Sequence, residues 1–523
     1  MTPWRARRLQ RLLALWGPLV AISVTSLIVA VISWRHIEST LSPVERFDRA
    51  MSNDDDRAAE EIAWRMVRRD PRRLPWWIRF TEAHEGLVDG DEASPISDAA
   101  IRQQLTAVRD ARVTAIESYF YAVRMNPEKA DPAAVLPLAD RNPPVPYANF
   151  VIGEGALAKK DRRAAAIRFE REGSSSSEIA EWSRQRALRA WIANDDWQAV
   201  RMRLNDPRWA EAVDASLRAD LAVHDRDVLG VLLWTWPASY VGITVWPVVL
   251  ALIAGALWFW IAARLGRIHD AVHGRVLLYA GSVLLGILSI YPTLLTATIQ
   301  DDLGFREVGQ FVPDLIFNIF GVGLREEGWK AILFLPLLPA LLRRGSRIEA
   351  MTCGALVGLG FAAEENINYF DHHADLALSR FLTANFLHMS LTALVALSMF
   401  DTLRKRATPR DAFKTVFPLA MAIHGGYDFC LGSDDMPLGS LFSIILLIVM
   451  AQRFLRQLLI ASSREDERDV LNLFVASMAA ITGAGYIYGS TQVGPFDAFR
   501  LMTLGSVSVA VMIFMFVREL RPS

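Results

Sequence analysis

Residues 239–262 read SYVGITVWPVVLALIAGALWFWIA, a run that contains no Asp, Glu, Lys or Arg. The hydrocarbon core of a bilayer is about 30 Å thick, so a helix needs about 20 apolar residues to cross it. This block therefore predicts a membrane-spanning helix. Blocks of the same kind follow along the chain, at residues 276–299, 313–342, 349–370, 378–400, 412–431, 437–460, 469–488 and 497–517.

The N-terminus predicts one more span. Four arginines before residue 12 precede an apolar run over 12–34, and no small-residue cleavage site follows it. This pattern indicates an uncleaved anchor with its N-terminus in the cytoplasm, because positive charge is retained there. We therefore expect an all-α, polytopic membrane protein with about ten transmembrane helices, divided into an anchor at 1–34, a soluble segment at 35–226 and a membrane domain at 227–523.

The charged loops predict the orientation. Arginine-rich loops follow alternate apolar blocks, and the loops between them are neutral or acidic. The basic positions are Arg264, Arg267, Arg275, Arg343, Arg344, Arg347, Arg404, Lys405, Arg406, Arg410, Arg453, Arg456, Arg464, Arg468, Arg518 and Arg521. All of them lie on one side of a ten-helix arrangement with both termini in the cytoplasm. Residues 35–226 are then extracytoplasmic, and the expected location is a bacterial inner membrane.

Composition excludes several classes of partner and fold. Lys and Arg number 56 against 57 Asp and Glu, so nothing favours a polyanionic partner such as nucleic acid. The two cysteines, Cys353 and Cys430, lie in apolar blocks, which excludes a disulfide framework, and no CxxC pair is present.

Residues 35–226 are charged, rich in Ala and Arg, and typical of short amphipathic helices. Gly153 and Ala165 recur as Ala187 and Ala199, a shift of 34 residues, which is the tetratricopeptide period. The segment resembles a tetratricopeptide-like helical array, and an unrelated helical domain is the alternative. It contains no catalytic or phosphate-binding motif of its own. We expect it to bind substrates.

Ionisable residues within membrane blocks are costly and therefore indicate function. Four consecutive blocks hold them, together with the amide of Asn366: Glu326, Glu327 and Lys330; Glu364 and Glu365; His388; His424 and Asp428. Each has a structural alternative. Glu364 and Glu365 could extend to the interface, Glu327 with Lys330 could be a structural ion pair, and a lone buried histidine is usually a core residue. Their occurrence together in adjacent blocks favours one site.

Spacing supports convergence of these groups. Glu326 and Lys330 are four residues apart, as are His424 and Asp428, so each pair lies on one helical face. The Gly-Val-Gly sequence at 321–323 predicts a break before a helix that begins near Leu324, and broken helices at membrane depth normally line a cavity. Gly354, Gly358 and Gly360 predict close helix contacts.

The motifs EExxK, FxxxEN, a lone His and HxxxD, in this order, resemble the PrsW family of intramembrane proteases within the CAAX protease and bacteriocin-immunity superfamily. The resemblance covers about residues 239–460. The matching residues are Phe361 and eight others, which the resemblance implies are catalytic: Glu326, Glu327, Lys330, Glu365, Asn366, His388, His424 and Asp428. Lys330 and Glu365 favour PrsW over the CAAX branch. The resemblance also implies a membrane-anchored substrate, such as an anti-sigma factor, cut near its outer face.

Peptide hydrolysis needs an activated water, an oxyanion stabiliser and a proton for the leaving amine. We assign Glu326 as the base, held by Lys330 and assisted by Glu365 or Glu327, with His424 or His388 at the oxyanion. No cofactor is certain. A Zn²⁺ ion is compatible with Glu326, Glu365, His388 and His424, but no HExxH motif is present, which favours a metal-free glutamate mechanism.

Two alternatives remain open. A CAAX-like or immunity protein would keep this fold with another substrate or without cleavage. An ion- or proton-coupled transporter would also bury Glu, Lys, His and Asp at depth. No inverted repeat relates the halves of the membrane domain, which speaks against the transporter.

Overall fold

The computed structural model describes residues 3–52, 55–70, 74–89, 94–107, 110–210, 212–243, 245–266, 275–372, 377–432, 439–461 and 467–519. Within these ranges every regular element is helical and there is no strand, which confirms the all-α class. The chain forms two compact units, one made of Met1–Arg35 with Val231–Ser523 and the other of His36–Gly230.

The first unit, here called the membrane unit, contains a helix at the position of every predicted apolar block. Its helices are Pro3–Thr40, Val228–Ala238, Val245–Leu265, Val276–Asp302, Phe311–Ile316, Phe317–Gly323, Leu324–Phe334, Leu335–Leu337, Leu338–Arg344, Arg347–His372, Ala377–Leu403, Phe413–Gly432, Gly439–Ala461, Glu467–Val493 and Pro495–Glu519. The first and second of these cross the boundary to the other unit in the chain.

Six helices in the described ranges are long and apolar enough to cross a membrane, which makes the protein a multi-pass membrane protein. They lie at Val20–Thr40, Val245–Leu265, Val276–Asp302, Thr383–Leu403, Leu441–Leu458 and Asn472–Val493. Two further long helices, Arg347–His372 and Phe413–Gly432, carry several of the ionisable residues discussed above, which lowers their hydropathy. The total of ten spans stays a prediction.

Four helices position the ionisable residues. We name them by those residues: the Glu326 helix (Leu324–Phe334), the Glu365 helix (Arg347–His372), the His388 helix (Ala377–Leu403) and the His424 helix (Phe413–Gly432). The predicted break before Leu324 is instead a change of winding. Residues Phe317–Gly323 form a π-helical segment that runs directly into the Glu326 helix.

Glycines allow these helices to approach closely, as the sequence predicted. A Cβ atom at Gly358 would lie 2.3 Å from the carbonyl oxygen of His388, and one at Gly425 would lie 2.1 Å from that of Asn318. Real side chains do not fit at such distances. Alanine at either position would therefore separate the Glu365 helix from the His388 helix, or the His424 helix from the π-helical segment.

The second unit, here called the array, is built from short helices. Those between residues 43 and 224 are Pro43–Ser52, Asp56–Arg69, Leu74–Asp89, Asp98–Ala107, Ala111–Met125, Leu136–Ala139, Ala148–Ala158, Arg162–Gly173, Ala180–Ala193, Trp197–Leu204, Pro207–Ala210 and Ala215–His224, with 3₁₀ turns at Pro127–Lys129 and Pro132–Ala134. Aspartates start many of them. For example, the side chains of Asp161 and Asp196 accept hydrogen bonds from backbone N–H groups in the first turn that follows.

The predicted repeat positions of the array are buried. Gly153 and Ala187 lie in the helices Ala148–Ala158 and Ala180–Ala193, and Ala165 and Ala199 lie in the helices that follow each of these. One buried carboxylate of the same region is paired, since Glu154 binds the guanidinium groups of Arg124 and Arg186. The tetratricopeptide likeness and the extracytoplasmic location stay predictions.

The exposed positions of the structure allow the orientation to be tested. Single cysteines at Ser176 in the array and at Arg410 in a basic loop, both exposed, would be placed in a background in which Cys353 and Cys430 are alanine. If the predicted orientation holds, a membrane-impermeant maleimide added to intact cells labels position 176, and it labels position 410 only after lysis. Labelling of 410 but not of 176 in intact cells would reverse the orientation.

Candidate active site

Lys330 lies at the centre of the cluster and its side chain is fully buried. Its Nζ atom is 2.7 Å from Oε1 of Glu327, 2.8 Å from Nδ1 of His388 and 3.8 Å from Oε2 of Glu326. An unpaired charge inside a protein costs about 3–5 kcal/mol. The three contacts offset that cost, so Lys330 fixes side chains of the Glu326 helix and the His388 helix together.

His424 joins a third helix to the cluster. Its Nδ1 atom is 2.9 Å from Oε1 of Glu327, so this one carboxylate oxygen accepts hydrogen bonds from both His424 and Lys330. On the other side of the ring, Nε2 is 3.2 Å from Oδ2 of Asp428 and 3.4 Å from Oε2 of Glu326. His424 therefore has carboxylates at both ring nitrogens, and two of the three come from the Glu326 helix.

His388 connects the Glu365 helix. Its Nε2 atom is 3.0 Å from Oε2 of Glu365. An ammonium group can only donate, so Lys330 donates to Nδ1 and the ring proton of neutral His388 lies on Nε2, from which it is donated to Glu365. The ring of Phe361 packs against this pair, with its centroid 4.0 Å from Nζ of Lys330 and 5.1 Å from the His388 ring. Phe361 thus explains the first position of the FxxxEN motif.

The structure brings seven of the eight predicted site residues into one network of contacts. The members are Glu326, Glu327, Lys330, Glu365, His388, His424 and Asp428. The eighth, Asn366, is fully buried next to Glu365 in the chain, and its Nδ2 atom is 3.4 Å from Oδ1 of Asn385. Their catalytic roles stay predictions, but the predicted convergence is present.

Two carboxylate oxygens of the described cluster accept no hydrogen bond, and one side of the cluster is partly exposed. In the part of the chain that the structure describes, Oε2 of Glu326 and Oε2 of Glu327 have no hydrogen-bond partner although both are buried. The side chains of Glu365 and Asp428 are 17% and 27% exposed, whereas that of Glu326 is 8% exposed. A reactant would therefore approach from the side of Glu365 and Asp428, with Glu326 behind them.

Sequence reasoning missed three partners of this region. Asn385 lies three residues before His388, on the same helical face, so helical spacing carried a signal for it. Trp236 and Tyr240 bind Glu364 from more than 120 positions away, and no spacing rule connects them. Glu364 itself is buried within the protein, so its carboxylate does not extend into solvent.

Three of the four candidate metal ligands lie together. One ligand atom each from Glu326, His388 and His424 falls within 4.8 Å of the others. Ligand atoms around tetrahedral Zn²⁺ are about 3.4 Å apart, so the donors fit by type and would need a small contraction. An ion held there would polarise the attacking water and the scissile carbonyl. His388 would first have to release Lys330 or Glu365, because both of its nitrogens are engaged.

The helices and their polar centre define a class, a multi-pass membrane protein with an enzyme-like cluster inside the helical bundle. Residues 274–477 match the family model described as PrsW family intramembrane metalloprotease. This segment is less than half of the chain and contains all eight predicted site residues. Searches among curated proteins and among solved structures gave no match. The family match supports an intramembrane protease.

Zinc content tests whether Lys330 keeps His388 from binding a metal. We expect the purified protein, dialysed against buffer with a trace of Zn²⁺, to retain less than about 0.1 ion per chain by mass spectrometry. The Lys330→Met variant, in which Nδ1 of His388 is free, should retain more Zn²⁺ per chain than wild type. Adding His388→Gln to Lys330→Met should return the Zn²⁺ content to the wild-type level. About one firmly bound ion per wild-type chain would instead establish a metal site.

Proposed function

We propose that this protein is an intramembrane endopeptidase that cleaves membrane-anchored proteins near their extracytoplasmic face. The observation that carries the proposal is the continuous network from Glu365 through His388, Lys330 and Glu327 to His424. Beside it lies Oε2 of Glu326, which is buried, accepts no hydrogen bond within the described residues and is 3.4 Å from Nε2 of His424. The match of residues 274–477 to a protease family supports the reaction class.

Glu326 is the general base of the proposed reaction. Its Oε2 atom takes a proton from a water molecule, and the water oxygen attacks the scissile carbonyl carbon. Nε2 of His424, 3.4 Å from Oε2 of Glu326, faces the same space. Its N–H, which lies 3.2 Å from Oδ2 of Asp428 before the reaction, donates to the oxyanion when this forms. As the C–N bond breaks, Glu326 passes its proton to the leaving amine, which gives a free amine and a carboxylic acid.

The other members hold these two groups in position. Oε1 of Glu327 accepts hydrogen bonds from both Lys330 and His424, so Glu327 fixes the ring of His424. Lys330 also holds His388, and His388 in turn donates to Glu365 at the open side of the site. Effective catalysis requires such positions to be preset. The proposed mechanism therefore depends on the ammonium as much as on the base.

The proposed substrate is a protein with a single transmembrane segment, and an anti-sigma factor is the leading class. This part of the proposal rests on the resemblance of the four motifs to PrsW. The predicted orientation places the cluster in the middle to outer part of the bilayer, so the cut falls near the outer end of the substrate segment.

Isosteric substitutions test the assigned base. Glu326→Gln should lower turnover at least about 10²-fold, the lower range for removing an acid–base group, while expression and membrane insertion stay normal. Glu327→Gln and His424→Asn should also lower turnover. The matched control is Asp302→Asn, an exposed carboxylate at the end of Val276–Asp302.

The measurement is quantitative proteomics of membrane fractions from cells that carry each variant. A protein that accumulates uncut with Glu326→Gln and is cleaved with wild type and with the control identifies the substrate, whose cleavage is then timed with purified protein. Cleavage by Glu326→Gln at a rate near that of wild type would show that another group is the base.

The array is proposed to recruit substrates. One feature that supports this role is a cleft of about 540 Å³, whose lining includes Asp140, Arg141, the buried Asn149, Arg171 and Ser174. Stacked helix pairs commonly bind peptides on such surfaces. Because the array is part of the same chain as the membrane unit, a bound ectodomain would be held at an effective concentration of roughly millimolar order.

Replacing residues 45–220 with a flexible linker tests recruitment. Cleavage of a full-length substrate should collapse, whereas a substrate reduced to its transmembrane segment and outer flank should be cut at the normal rate. Arg141→Glu in the cleft should weaken the first reaction only, and Arg163→Glu, also exposed, is its control. Equal cleavage of both substrates by the linker variant would leave the array as a spacer.

A further inference from the structure

Glu364 is a buried carboxylate that the proposed chemistry does not use. Only 4% of the residue is exposed, and it precedes Glu365 in the chain. Its Oε1 atom accepts a hydrogen bond from the hydroxyl of Tyr240 and another from Nε1 of Trp236, at 3.1 Å. The same Trp236 N–H lies 3.2 Å from the Tyr240 hydroxyl oxygen. Oε2 has no hydrogen-bond partner within the described ranges.

The two donors belong to a short segment next to the array in the chain. Trp236 lies in the helix Val228–Ala238, and Tyr240 lies in the turn that follows it. A second contact fixes the same segment, because the hydroxyl of Tyr291 donates to the carbonyl oxygen of Leu232, and the rings of Trp236 and Tyr291 are 5.9 Å apart. The segment is therefore bound to both the Glu365 helix and the helix Val276–Asp302.

The hydrogen bonds of Trp236 and Tyr240 to Glu364 also affect the position of Glu365 in the site. Glu364 and Glu365 are adjacent on one helix, so they move together if the helix turns about its axis. Side-chain ends lie about 5–6 Å from a helix axis, so a turn of about 20° displaces them by about 2 Å. That displacement is enough to break the 3.0 Å hydrogen bond between Glu365 and Nε2 of His388.

A purely structural role accounts poorly for a carboxylate at this position. A buried carboxylate with one unpartnered oxygen is costly, and an apolar side chain of similar size would pack there at lower cost. The carboxylate does provide one thing that an apolar group cannot, an acceptor that two donors from another segment can reach at a defined angle. It therefore restricts rotation of the Glu365 helix.

We propose that Trp236, Tyr240 and Glu364 form a positioning clasp that sets the rotation of the Glu365 helix and so holds Glu365 on His388. The clasp rests on the proposed function for its effect on turnover, but not for its effect on structure. None of the three residues touches the reacting atoms. They act through Glu365.

The clasp is tested with variants that separate hydrogen bonding from charge. Tyr240→Phe removes one donor, and Glu364→Leu removes the acceptor. Glu364→Gln keeps one acceptor oxygen and removes the charge. The matched control is Tyr486→Phe, which removes a hydroxyl that donates to the carbonyl oxygen of Pro495 in the C-terminal part of the membrane unit. All variants are made in the full chain.

The first measurement is independent of any substrate. In protein labelled with ¹⁵N-histidine, the ring signals of His388 are identified by their loss in His388→Gln. We expect the Nε2 signal to shift in Tyr240→Phe and in Glu364→Leu, because its hydrogen bond to Glu365 lengthens. It should not shift in Glu364→Gln or in the control. An unchanged signal in Glu364→Leu overturns the clasp, even if the protein is a protease.

The second measurement is steady-state cleavage of the substrate that accumulates uncut with Glu326→Gln. We expect kcat to fall about 3- to 10-fold in Tyr240→Phe and further in Glu364→Leu, with KM within about twofold of wild type, and Glu364→Gln to stay near wild type. Loss of activity in Glu364→Gln equal to that in Glu364→Leu overturns the acceptor role. If the His388 signal shifts as expected but no variant or wild type cleaves any substrate, the clasp stands and the proposed function fails.

Discussion

The buried ammonium of Lys330 is the group on which the remainder of the site depends. It bonds Glu327 on its own helix and His388 on another, and Glu327 passes the constraint to His424 on a third. Without a cation at this position, the carboxylates of Glu326 and Glu327 would have no positive charge between them. Two negative charges repel each other strongly in a medium of low dielectric constant. The polar centre is therefore ordered by one charge at its middle.

Such a centre needs helices that lie closer together than ordinary side chains permit. The glycines at 358 and 425 provide this, since each places a backbone carbonyl oxygen of a neighbouring helix within 2.3 Å of the point that a Cβ atom would occupy. A shift of about 1 Å between helices would turn hydrogen bonds of 2.7–3.0 Å into contacts too long to count. The glycines therefore set the distance between the helices, and the hydrogen bonds of Lys330 require that short distance.

The sequence predicted the helices and the convergence of the cluster, because the apolar blocks and the i,i+4 pairs are local patterns. Hydropathy alone locates Val245–Leu265, and spacing alone pairs Glu326 with Lys330. The pairing of Glu364 with Trp236 and Tyr240 was out of reach, since it depends on how distant segments pack. The partner of each ring nitrogen of His388 was equally hidden, because one comes from Lys330 and the other from Glu365. The π-helical winding of Phe317–Gly323 was not predicted either. Two glycines indicate that an α-helix is interrupted there, but they do not tell whether the chain breaks or changes its winding.

The π-helical segment Phe317–Gly323 sets the direction in which the next helix presents its side chains. A π turn accommodates one residue more than the α turn it replaces, so everything after it is rotated by about 100° relative to an uninterrupted α-helix. The carboxylates at 326 and 327 face His424 because of this one extra position upstream. Deletion of one residue within Phe317–Gly323 would therefore turn the acidic pair away from His424 without any change to the glutamates. The direction in which Glu326 and Glu327 point thus depends on the number of residues in Phe317–Gly323 as well as on the glutamates themselves.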